Sequence, residues 1–410
     1  MRGLELTLDS RVREGLDRHL QTSAKGPIAV ALSGGGDSLA LALIAADWAS
    51  THGRRLLILT VDHQINAASP GWTLSCREIA ARLGADFRAL SWEGLKPATG
   101  LPAAARVARH RLLATAARQA GAQVILMGHT ASDRLEASAM RQSGSSTPSP
   151  RVWGPSPVWP EGRGIFLLRP MLATRRAEIR TWLAARGESW IEDPSNEDPR
   201  LARARARAGL TGCENDAALP APDLTALARA TQDLAGGLTL PRQVMAEAPA
   251  AFISAACLCA AGTTRPPRGE RLNRLVALLR GREPFTATLA GARIEADATN
   301  VCFLREAGEV RRGGLTPLAL AAGEAAIWDG RWELTTDRAL EVRALVGSAS
   351  SLSSAARATL SALPPGARGS LPLILGHGSP VLTPLPGVGL RPLALERLQA
   401  ACGVIETEAA

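Results

Sequence analysis

A serine- and glycine-rich hexapeptide near the amino terminus combines residue types that can bind a phosphate group. It consists of Ser33, Gly34, Gly35, Gly36, Asp37 and Ser38. It lies between the apolar run IAVAL at residues 28–32 and a helix-like apolar stretch, where main-chain amides and the helix dipole attract anions. Because Asp37 would repel a phosphate, we expect a divalent cation such as Mg²⁺ between the two. The hexapeptide therefore predicts a nucleotide phosphate cradle, with a tight strand-to-helix turn as the simpler interpretation.

Three further polar side chains follow a later predicted strand. His129 comes directly after the run VILMG at residues 124–128, Asp133 lies four residues on, and Glu136 lies one helical turn beyond Asp133. His129 and Asp133 can therefore converge on one crevice at the strand end, with Glu136 on the same helix face as Asp133. From the residues alone, a satisfied histidine, a helix cap and a solvated carboxylate are the simpler interpretations.

Arginines form two further candidate groups. Arg106 and Arg109 share one face of a predicted helix, either as a pair of phosphate ligands or as an ordinary solvated face. The stretch DPSNEDPRLARARAR contains a turn around Asn196 and then a run of alternating arginines, which by itself indicates a solvated charged segment. The arginines of that run are Arg203, Arg205 and Arg207.

An alternation of apolar runs and helix-like segments would position these side chains. The predicted strands are residues 28–32, 56–61, 87–90 and 124–128, and the predicted helices begin near residues 37, 72 and 101. Continuous apolar strands between helices are typical of a parallel sheet that is covered on both faces. We therefore expect a doubly wound parallel α/β sheet, with its ligands at the carboxyl ends of the strands.

The rest of the chain differs in composition. Residues 143–164 are rich in proline, glycine and serine, which predicts a long surface loop rather than a regular element. Later residues are helix-like to about residue 281 and strand-like after it. We therefore expect an α/β domain at 1–212, a helical binding or linker segment at 213–283, and a small mixed or β-rich domain at 284–410.

The composition describes a water-soluble protein with a polyanionic partner. The formal net charge is +9, and arginine supplies nearly all of the positive charge, since Lys25 and Lys96 are the only lysines. Arginine can form bidentate hydrogen bonds with phosphates, which favours a nucleic acid as partner. No apolar run is long enough for a membrane span, and the six cysteines form no spaced framework, so we expect a cytoplasmic protein.

The motifs together resemble a known family. The hexapeptide resembles the S-G-G-x-D-S loop of PP-loop ATP pyrophosphatases, which cleave ATP between the α and β phosphates. Four stretches are similar to segments of the tRNA(Ile)-lysidine synthetase family in order and spacing, and the resemblance covers roughly residues 26–210. They are VDHQIN at 61–66, AAARVARHRLL at 103–113, GHTASDRLEASAMR at 128–141 and the stretch 167–207 that contains DPSN.

The resemblance implies a reaction and a set of roles. ATP would adenylate the wobble cytidine of tRNA(Ile) with a CAU anticodon, and free L-lysine would then displace AMP. Asp133, His129 and Arg109 would be catalytic, and Glu136 would hold the lysine ammonium. The hexapeptide would bind ATP, and Asp37 would bind Mg²⁺. The residues that would contact tRNA or ATP phosphates are Arg106, Asn196, Arg203, Arg205 and Arg207. The resemblance does not decide whether the protein forms a homodimer.

The sequence departs from the family pattern at several positions, and rival functions follow from that. The departures are Asn66, Thr130, Ser132, Arg134, Leu201 and Ala204. They motivate a non-catalytic RNA-binding protein on the same fold as the alternative. Another tRNA-modifying enzyme with this loop is also an alternative, although a thiolase is disfavoured because no C-x-x-C motif is present. No group resembling a glutaminase domain is present either, which disfavours the amide-forming relatives.

Overall fold

The computed structural model describes residues 7–142, 149–192, 226–233, 235–267, 269–312, 315–375 and 386–410. The described residues form two compact units, one within Met1–Pro220 and Ile405–Ala410 and the other within Ala221–Val404. The boundaries expected after residues 212 and 283 stay predictions.

The first unit is built on a six-stranded sheet. Its strands are β1 (Ile28–Ala31), β2 (Leu56–Asp62), β3 (Asp86–Ser91), β4 (Val124–Met127), β5 (Trp153–Pro155) and β6 (Phe166–Leu168). The strand order is β3-β2-β1-β4-β6-β5, with β5 antiparallel to β6 and the other neighbours parallel. The predicted parallel α/β sheet is therefore confirmed.

Helices cover both faces of this sheet. They are α1 (Leu8–His19), α2 (Gly36–Thr51), α3 (Ser69–Arg82), α4 (Leu101–Gln119), α5 (Ala131–Gln142) and α6 (Arg176–Ala184). Successive strand residues point to opposite faces, so Ile28 and Val30 pack with α1, α2, α3 and α6, whereas Ala29 packs with α4. Burial on both faces explains why the strand sequences are apolar throughout.

The strand order places a crevice beside β1. The chain passes from β1 to β2 on one side, whereas β4 lies on the other side of β1. Such a switch point opens a ligand-binding crevice outside the carboxyl ends of the two strands. The hexapeptide follows β1 and His129 follows β4, so both begin at this crevice.

Strand β5 corrects the prediction of a loop without regular structure at 143–164. Trp153 pairs with Leu168 in the antiparallel register, and its indole ring stacks on His19 at 5.1 Å and on Phe166 at 4.9 Å between centroids. These contacts involve residues distant in sequence, so the local abundance of proline and glycine did not indicate them. Residues 143–148 lie outside the described part of the chain.

The carboxyl-terminal residues belong to the first unit. Glu408 forms a two-pronged ion pair with Arg54, with N–O distances of 2.9 and 3.0 Å, and the two side chains are only 2% and 3% exposed. Arg54 also donates to the carbonyl groups of Gln21 and Gly26. The Trp153 indole donates to the carbonyl of Ile405 at 2.6 Å. These long-range contacts, called here the carboxyl-terminal clasp, therefore hold residues 405–410 to the rest of the first unit. The sequence did not indicate them.

The second unit contains helices and antiparallel sheets. A five-stranded sheet has the order β7 (Thr231–Gln232), β8 (Leu238–Pro241), β11 (Asn300–Arg305), β10 (Ala292–Ala296), β9 (Phe285–Leu289). The helices Arg242–Glu247, Ala250–Ala261, Gly269–Arg280 and Ala394–Cys402 contribute to one core with this sheet. The predicted helical segment thus also holds two short strands, β7 and β8.

Two three-stranded sheets complete the second unit. Their strands are β12 (Leu318–Leu320), β15 (Leu340–Ala344) and β16 (Pro372–Leu375) in one, and β13 (Ala325–Trp328), β14 (Trp332–Thr336) and β17 (Val388–Pro392) in the other. The short helices are Ser354–Ser361 and Pro365–Arg368. The two sheets share a core that includes Trp328 and Trp332. The predicted β-rich character of the carboxyl-terminal part is confirmed.

Two features of the described residues concern membrane spans and cysteine chemistry. None of their helices combines the length and apolarity that crossing a bilayer requires. Cys257 and Cys259 are buried free thiols, and burial raises the pKa of each to about 12. Both side chains therefore act as small apolar groups.

Candidate active site

The hexapeptide forms the turn from β1 into α2. The hydroxyl of Ser38 donates to the carbonyl of Gly35 at 2.9 Å and accepts from the amide of Ser33 at 3.2 Å. The two serine hydroxyls are 3.1 Å apart. In the described part of the chain, no side chain caps α2, whose first amides therefore keep their donors for a ligand. The loop is closed by its own serines and presents main-chain donors at a helix amino terminus.

Two glycines of the hexapeptide are required by close neighbours. Gly34 has a φ of +84°, and a Cβ there would lie 2.4 Å from Cδ1 of Ile191. The amide of Ile191 donates to the carbonyl of Gly34 at 3.0 Å, which ties a distant segment to the loop. A Cβ at Gly36 would lie 3.3 Å from side-chain atoms of Leu183 and Trp190. Here glycine serves close packing as well as turn formation.

A cavity of about 290 Å³ opens in front of the hexapeptide. Its walls include five of the six hexapeptide residues and polar side chains from α4, from the β4–α5 connection and the start of α5, from α6 and from the segment that follows α6. Those polar residues are Arg109, His129, Asp133, Arg176, Arg180 and Glu192. Leu113, Met127 and Trp190 are among the apolar residues of the lining. A concave site with few convergent polar groups is the usual form of a small-molecule site.

Gly128 sets the approach of β4 to the hexapeptide. A Cβ there would lie 2.9 Å from both the Cα and the amide nitrogen of Ser38. Since these are backbone atoms, any larger residue would displace the start of α2. Gly128 therefore lets the two strand ends meet at one cavity, a role that the sequence analysis missed.

The carboxylate of Asp133 is held in place by hydrogen bonds from Thr130, three residues earlier in the chain. Its Oδ2 accepts from the amide of Thr130 at 2.7 Å and from the Thr130 hydroxyl at 2.9 Å. Thr130 is fully buried, and Asp133 is 7% exposed. Thr130 was one of the departures from the family pattern, and it orients a cavity carboxylate. The departure at Asn66 lies in a turn, where its Oδ1 accepts from the amide of Ala68 at 2.9 Å.

Arg176 lies among the three acidic residues that the sequence singled out. Its Nε donates to Oδ2 of Asp37 at 2.9 Å, and its Nη2 lies 3.8 Å from Oδ2 of Asp133. Its Nη1 lies 3.8 Å from Oε1 of Glu136. Burial lowers the pKa of Arg176, but the negative charges around it, first that of Asp37, outweigh this and raise it overall. Burial raises the pKa of Asp37, and Arg176 opposes that shift.

A positively charged cluster surrounds His129 and interacts electrostatically with Asp133. Arg169 donates from Nε to Nδ1 of His129 at 3.1 Å. Burial lowers the pKa of His129, and the charges of Arg169, Arg109 and Arg106 act in the same direction. Burial lowers the pKa of His110 to about 2, again with help from Arg109 and Arg106. Both imidazoles are therefore neutral near pH 7.

The structure brings most of the described candidate residues together. Ser33, Gly35, Gly36, Asp37, Ser38, Arg109, His129 and Asp133 line the cavity. Gly34, Arg106 and Glu136 lie behind or beside this lining, and the side chain of Glu136 is only 2% exposed. Asn196, Arg203, Arg205 and Arg207, like Leu201 and Ala204, lie outside the described residues. The roles of all these residues stay predictions.

Several cavity residues were missed in the sequence, among them Arg176, Trp190 and Ile191, although Arg176 left a signal. Arg176 begins α6, where a cation is disfavoured by the helix dipole, and an arginine at such a position indicates an acidic partner. Trp190 and Ile191 lie shortly before the DPSN stretch, separated from it by Glu192, and belong to no motif that the sequence showed. Their contact with the hexapeptide depends on the tertiary fold.

Known proteins are similar to this chain over about three quarters of its length or more. A family model described as a PP-loop domain matches residues 8–213. A tRNA(Ile)-lysidine synthase of Caulobacter vibrioides is 50% identical over 411 residues, which covers 97% of this chain and 98% of the relative. The enzymes of the same name from Hyphomonas neptunium and Rhizobium meliloti are 35% and 34% identical. They cover 75% and 74% of this chain and 88% and 72% of their own lengths.

Proposed function

The chain belongs to the tRNA(Ile)-lysidine synthase family, and from this premise we propose that it ligates L-lysine to C2 of the wobble cytidine of tRNA(Ile) with a CAU anticodon. In the first step, the C2 oxygen of the cytidine attacks the α phosphorus of ATP, and pyrophosphate leaves. In the second step, the side-chain amine of lysine attacks C2, loses a proton and displaces AMP. The observation that carries the proposal is that Ser33, Asp37, His129 and Asp133 line one cavity.

The hexapeptide would hold the phosphates during adenylation. The amides at the start of α2 and the hydroxyls of Ser33 and Ser38 offer donors to the phosphate oxygens. Arg109 lies in the same cavity wall and would add a fixed positive charge. Because negative charge accumulates on phosphate oxygens in this step, donors that are already oriented lower its barrier.

The donor set at Asp37 fits Mg²⁺ bound together with a nucleotide. Among the described residues, no three His, Cys, Asp or Glu side chains converge as a metal centre. Mg²⁺ usually keeps several waters and takes one or two carboxylates plus substrate phosphates, which a single Asp37 in the cavity wall satisfies. When bound, the ion would neutralise charge on the transferring phosphate.

Asp133 and Glu136 would serve the lysine step. Two buried carboxylates on one helix face attract an ammonium group, and Asp133 is held by Thr130 at the cavity wall. Arg176 already compensates part of their charge. Its positive charge would disfavour a bound ammonium and so favour the neutral amine that attacks C2. We assign to Asp133 the acceptance of the amine proton.

The remaining parts of the proposal concern the tRNA and the cell. Asn196 and the arginines Arg203, Arg205 and Arg207 would contact phosphates of the tRNA or of ATP. Such contacts would make tRNA binding strongly dependent on salt. A protein that uses ATP and tRNA would work in the cytoplasm, and a homodimer stays a prediction.

Release of pyrophosphate tests the proposed function. We expect release from ATP to require the CAU tRNA, and release of AMP to require lysine as well. Asp133→Asn should still bind ATP and tRNA and release pyrophosphate, but transfer no lysine, because the amide keeps the shape and loses the base. Tight tRNA binding without any pyrophosphate release would favour the non-catalytic alternative.

A further inference from the structure

Arg169 connects a backbone segment to the cavity histidine. Arg169 follows β6 and is 7% exposed. Its amide donates to the carbonyl of Val152 at 2.7 Å, and its Nη1 donates to the carbonyl of Arg151 at 2.9 Å. Its Nε donates to Nδ1 of His129 at 3.1 Å. The guanidinium is thus held by the carbonyl of Arg151, and the backbone of Arg169 by the carbonyl of Val152, both just before β5.

The direction of the hydrogen bond between Arg169 and His129 determines the tautomer of His129. A guanidinium has five N–H donors, carries no acceptor and keeps its charge, so Nδ1 of His129 must be the acceptor. A neutral imidazole that accepts at one nitrogen carries its proton on the other. His129 therefore carries its proton on Nε2, and a second proton on Nδ1 would break the bond with Arg169.

The charges around His129 favour the same state. Arg106, Arg109 and His110 face it from α4, Arg169 faces it from the end of β6, and Asp133 faces it from α5. Asp133 is the one acid in this set, and it already accepts two hydrogen bonds from Thr130. A positively charged imidazole would meet three arginines, whereas a neutral N–H donor meets none of that repulsion.

We propose that Arg169 is a positioning residue, which fixes His129 as a neutral imidazole that donates from Nε2 and does not serve as a base. The inference rests on the proposed function for its consequence in catalysis. In adenylation, His129 would donate a hydrogen bond to oxygen atoms that gain negative charge, and it would neither take nor release a proton. Proton acceptance in the lysine step then falls to Asp133 alone.

Nitrogen NMR of histidine-labelled protein tests the tautomer directly. The chain has 6 histidines, and the His129 signals are identified by their loss in His129→Gln. We expect the wild type to show a protonated Nε2 and an unprotonated Nδ1 from about pH 5 to pH 8. In Arg169→Met, we expect a mixture of the two neutral tautomers, because the hydrogen bond that selects one of them is lost. A wild-type His129 that is protonated on Nδ1 would overturn the proposal.

Steady-state kinetics distinguish a positioning role of Arg169 from a purely structural one. We expect Arg169→Met to lower kcat for pyrophosphate release on the order of 10²-fold, with little change in the KM for ATP, and Arg169→Lys to recover part of it. The control is Arg55→Met, since Arg55 is exposed and lies outside the cavity. An Arg169→Met protein with unchanged tautomer and kcat would refute the role.

The test still gives an answer if a variant does not fold or if the wild type is inactive. If Arg169→Met does not fold, the wild-type spectrum and the Arg169→Lys kinetics decide, because a lysine still donates without accepting. If the wild type releases no pyrophosphate, the proposed function fails, and the spectrum still decides the tautomer.

Discussion

The guanidinium of Arg176 donates to the carboxylate of Asp37 across 2.9 Å, although 139 positions separate the two residues in the chain. This contact joins α6 to the amino terminus of α2, and it brings the same cation within 3.8 Å of Asp133 and Glu136. One arginine therefore compensates the residue proposed for Mg²⁺ and the pair proposed for lysine. Without it, three carboxylates would share one poorly solvated region.

Replacement of Arg176 should impair both chemical steps. We expect Arg176→Gln to lower lysine incorporation on the order of 10²-fold, because Asp37 loses its partner and the bound amine stays protonated. The loss should shrink as pH rises, since higher pH supplies the neutral amine. Arg175→Gln is the matched control, because Arg175 is the adjacent arginine and is exposed. Equal pH profiles for Arg176→Gln and the wild type would argue against this role.

Gly128 should be more sensitive to a methyl group than a nearby glycine of the same sheet. In Gly128→Ala, the Cβ would meet the backbone of Ser38 at 2.9 Å, so the start of α2 must move. We expect ATP affinity, measured by calorimetry, to fall about tenfold or more, which corresponds to about 1.4 kcal/mol.

Gly154→Ala is the control for that substitution. No heavy atom of the described residues lies within 4 Å of a Cβ at Gly154. ATP affinity should therefore stay at the wild-type value. If both variants bind ATP equally well, the close approach of β4 to α2 does not shape the cradle.

The sequence predicted the parts of the site that have local signals. The hexapeptide, Asp133 and His129 follow apolar strands, so their place at the carboxyl edge of the sheet could be inferred from pattern alone. Arg176, Trp190 and Gly128 could not be placed in the same way, because their partners are distant in sequence or lie across a strand junction. The same holds for β5, whose Trp153 is stabilised by ring contacts with His19 and Phe166.

The departures from the family pattern show a second limit. From the sequence, Thr130 weakened the expectation of catalysis, whereas in the structure its amide and hydroxyl both bind Asp133. A substitution can therefore preserve the orientation of a neighbour through backbone contacts that no motif records.

His110 should make the protein sensitive to mild acid. Its pKa is lowered to about 2 by burial and nearby arginines, and neither ring nitrogen has a hydrogen-bond partner among the described residues. The unfolded chain binds a proton near pH 6.5 and the folded chain does not, so stability is full above that pH and falls below it. We expect a loss of about 2 kcal/mol in the free energy of unfolding between pH 8 and pH 5.

His110→Leu should remove that share of the acid sensitivity. Leucine fills a similar volume, needs no hydrogen bond and cannot bind a proton. Urea unfolding at several pH values measures the effect, and His52→Leu provides a partly exposed control. A His110→Leu protein with the wild-type pH dependence would contradict the neutral, buried state of His110.

The carboxyl-terminal clasp should contribute strongly to the stability of the first unit. Glu408→Gln leaves Arg54 buried without its countercharge, and we expect a loss of about 3 kcal/mol or more. The control is Asp86→Asn, which breaks the ion pair of the adjacent Arg55, where both side chains are about two-thirds exposed, and should cost under about 0.5 kcal/mol. Equal losses in the two variants would show that the clasp does not hold the tail.

Incorporation of labelled L-lysine into a tRNA transcript tests the central claim most directly. With ATP and Mg²⁺, the protein should attach about one lysine to each tRNA(Ile) transcript with a CAU anticodon, and none when the wobble cytidine is replaced by uridine. A protein that consumes ATP but attaches no lysine to the CAU transcript, or labels both transcripts equally, would contradict the account.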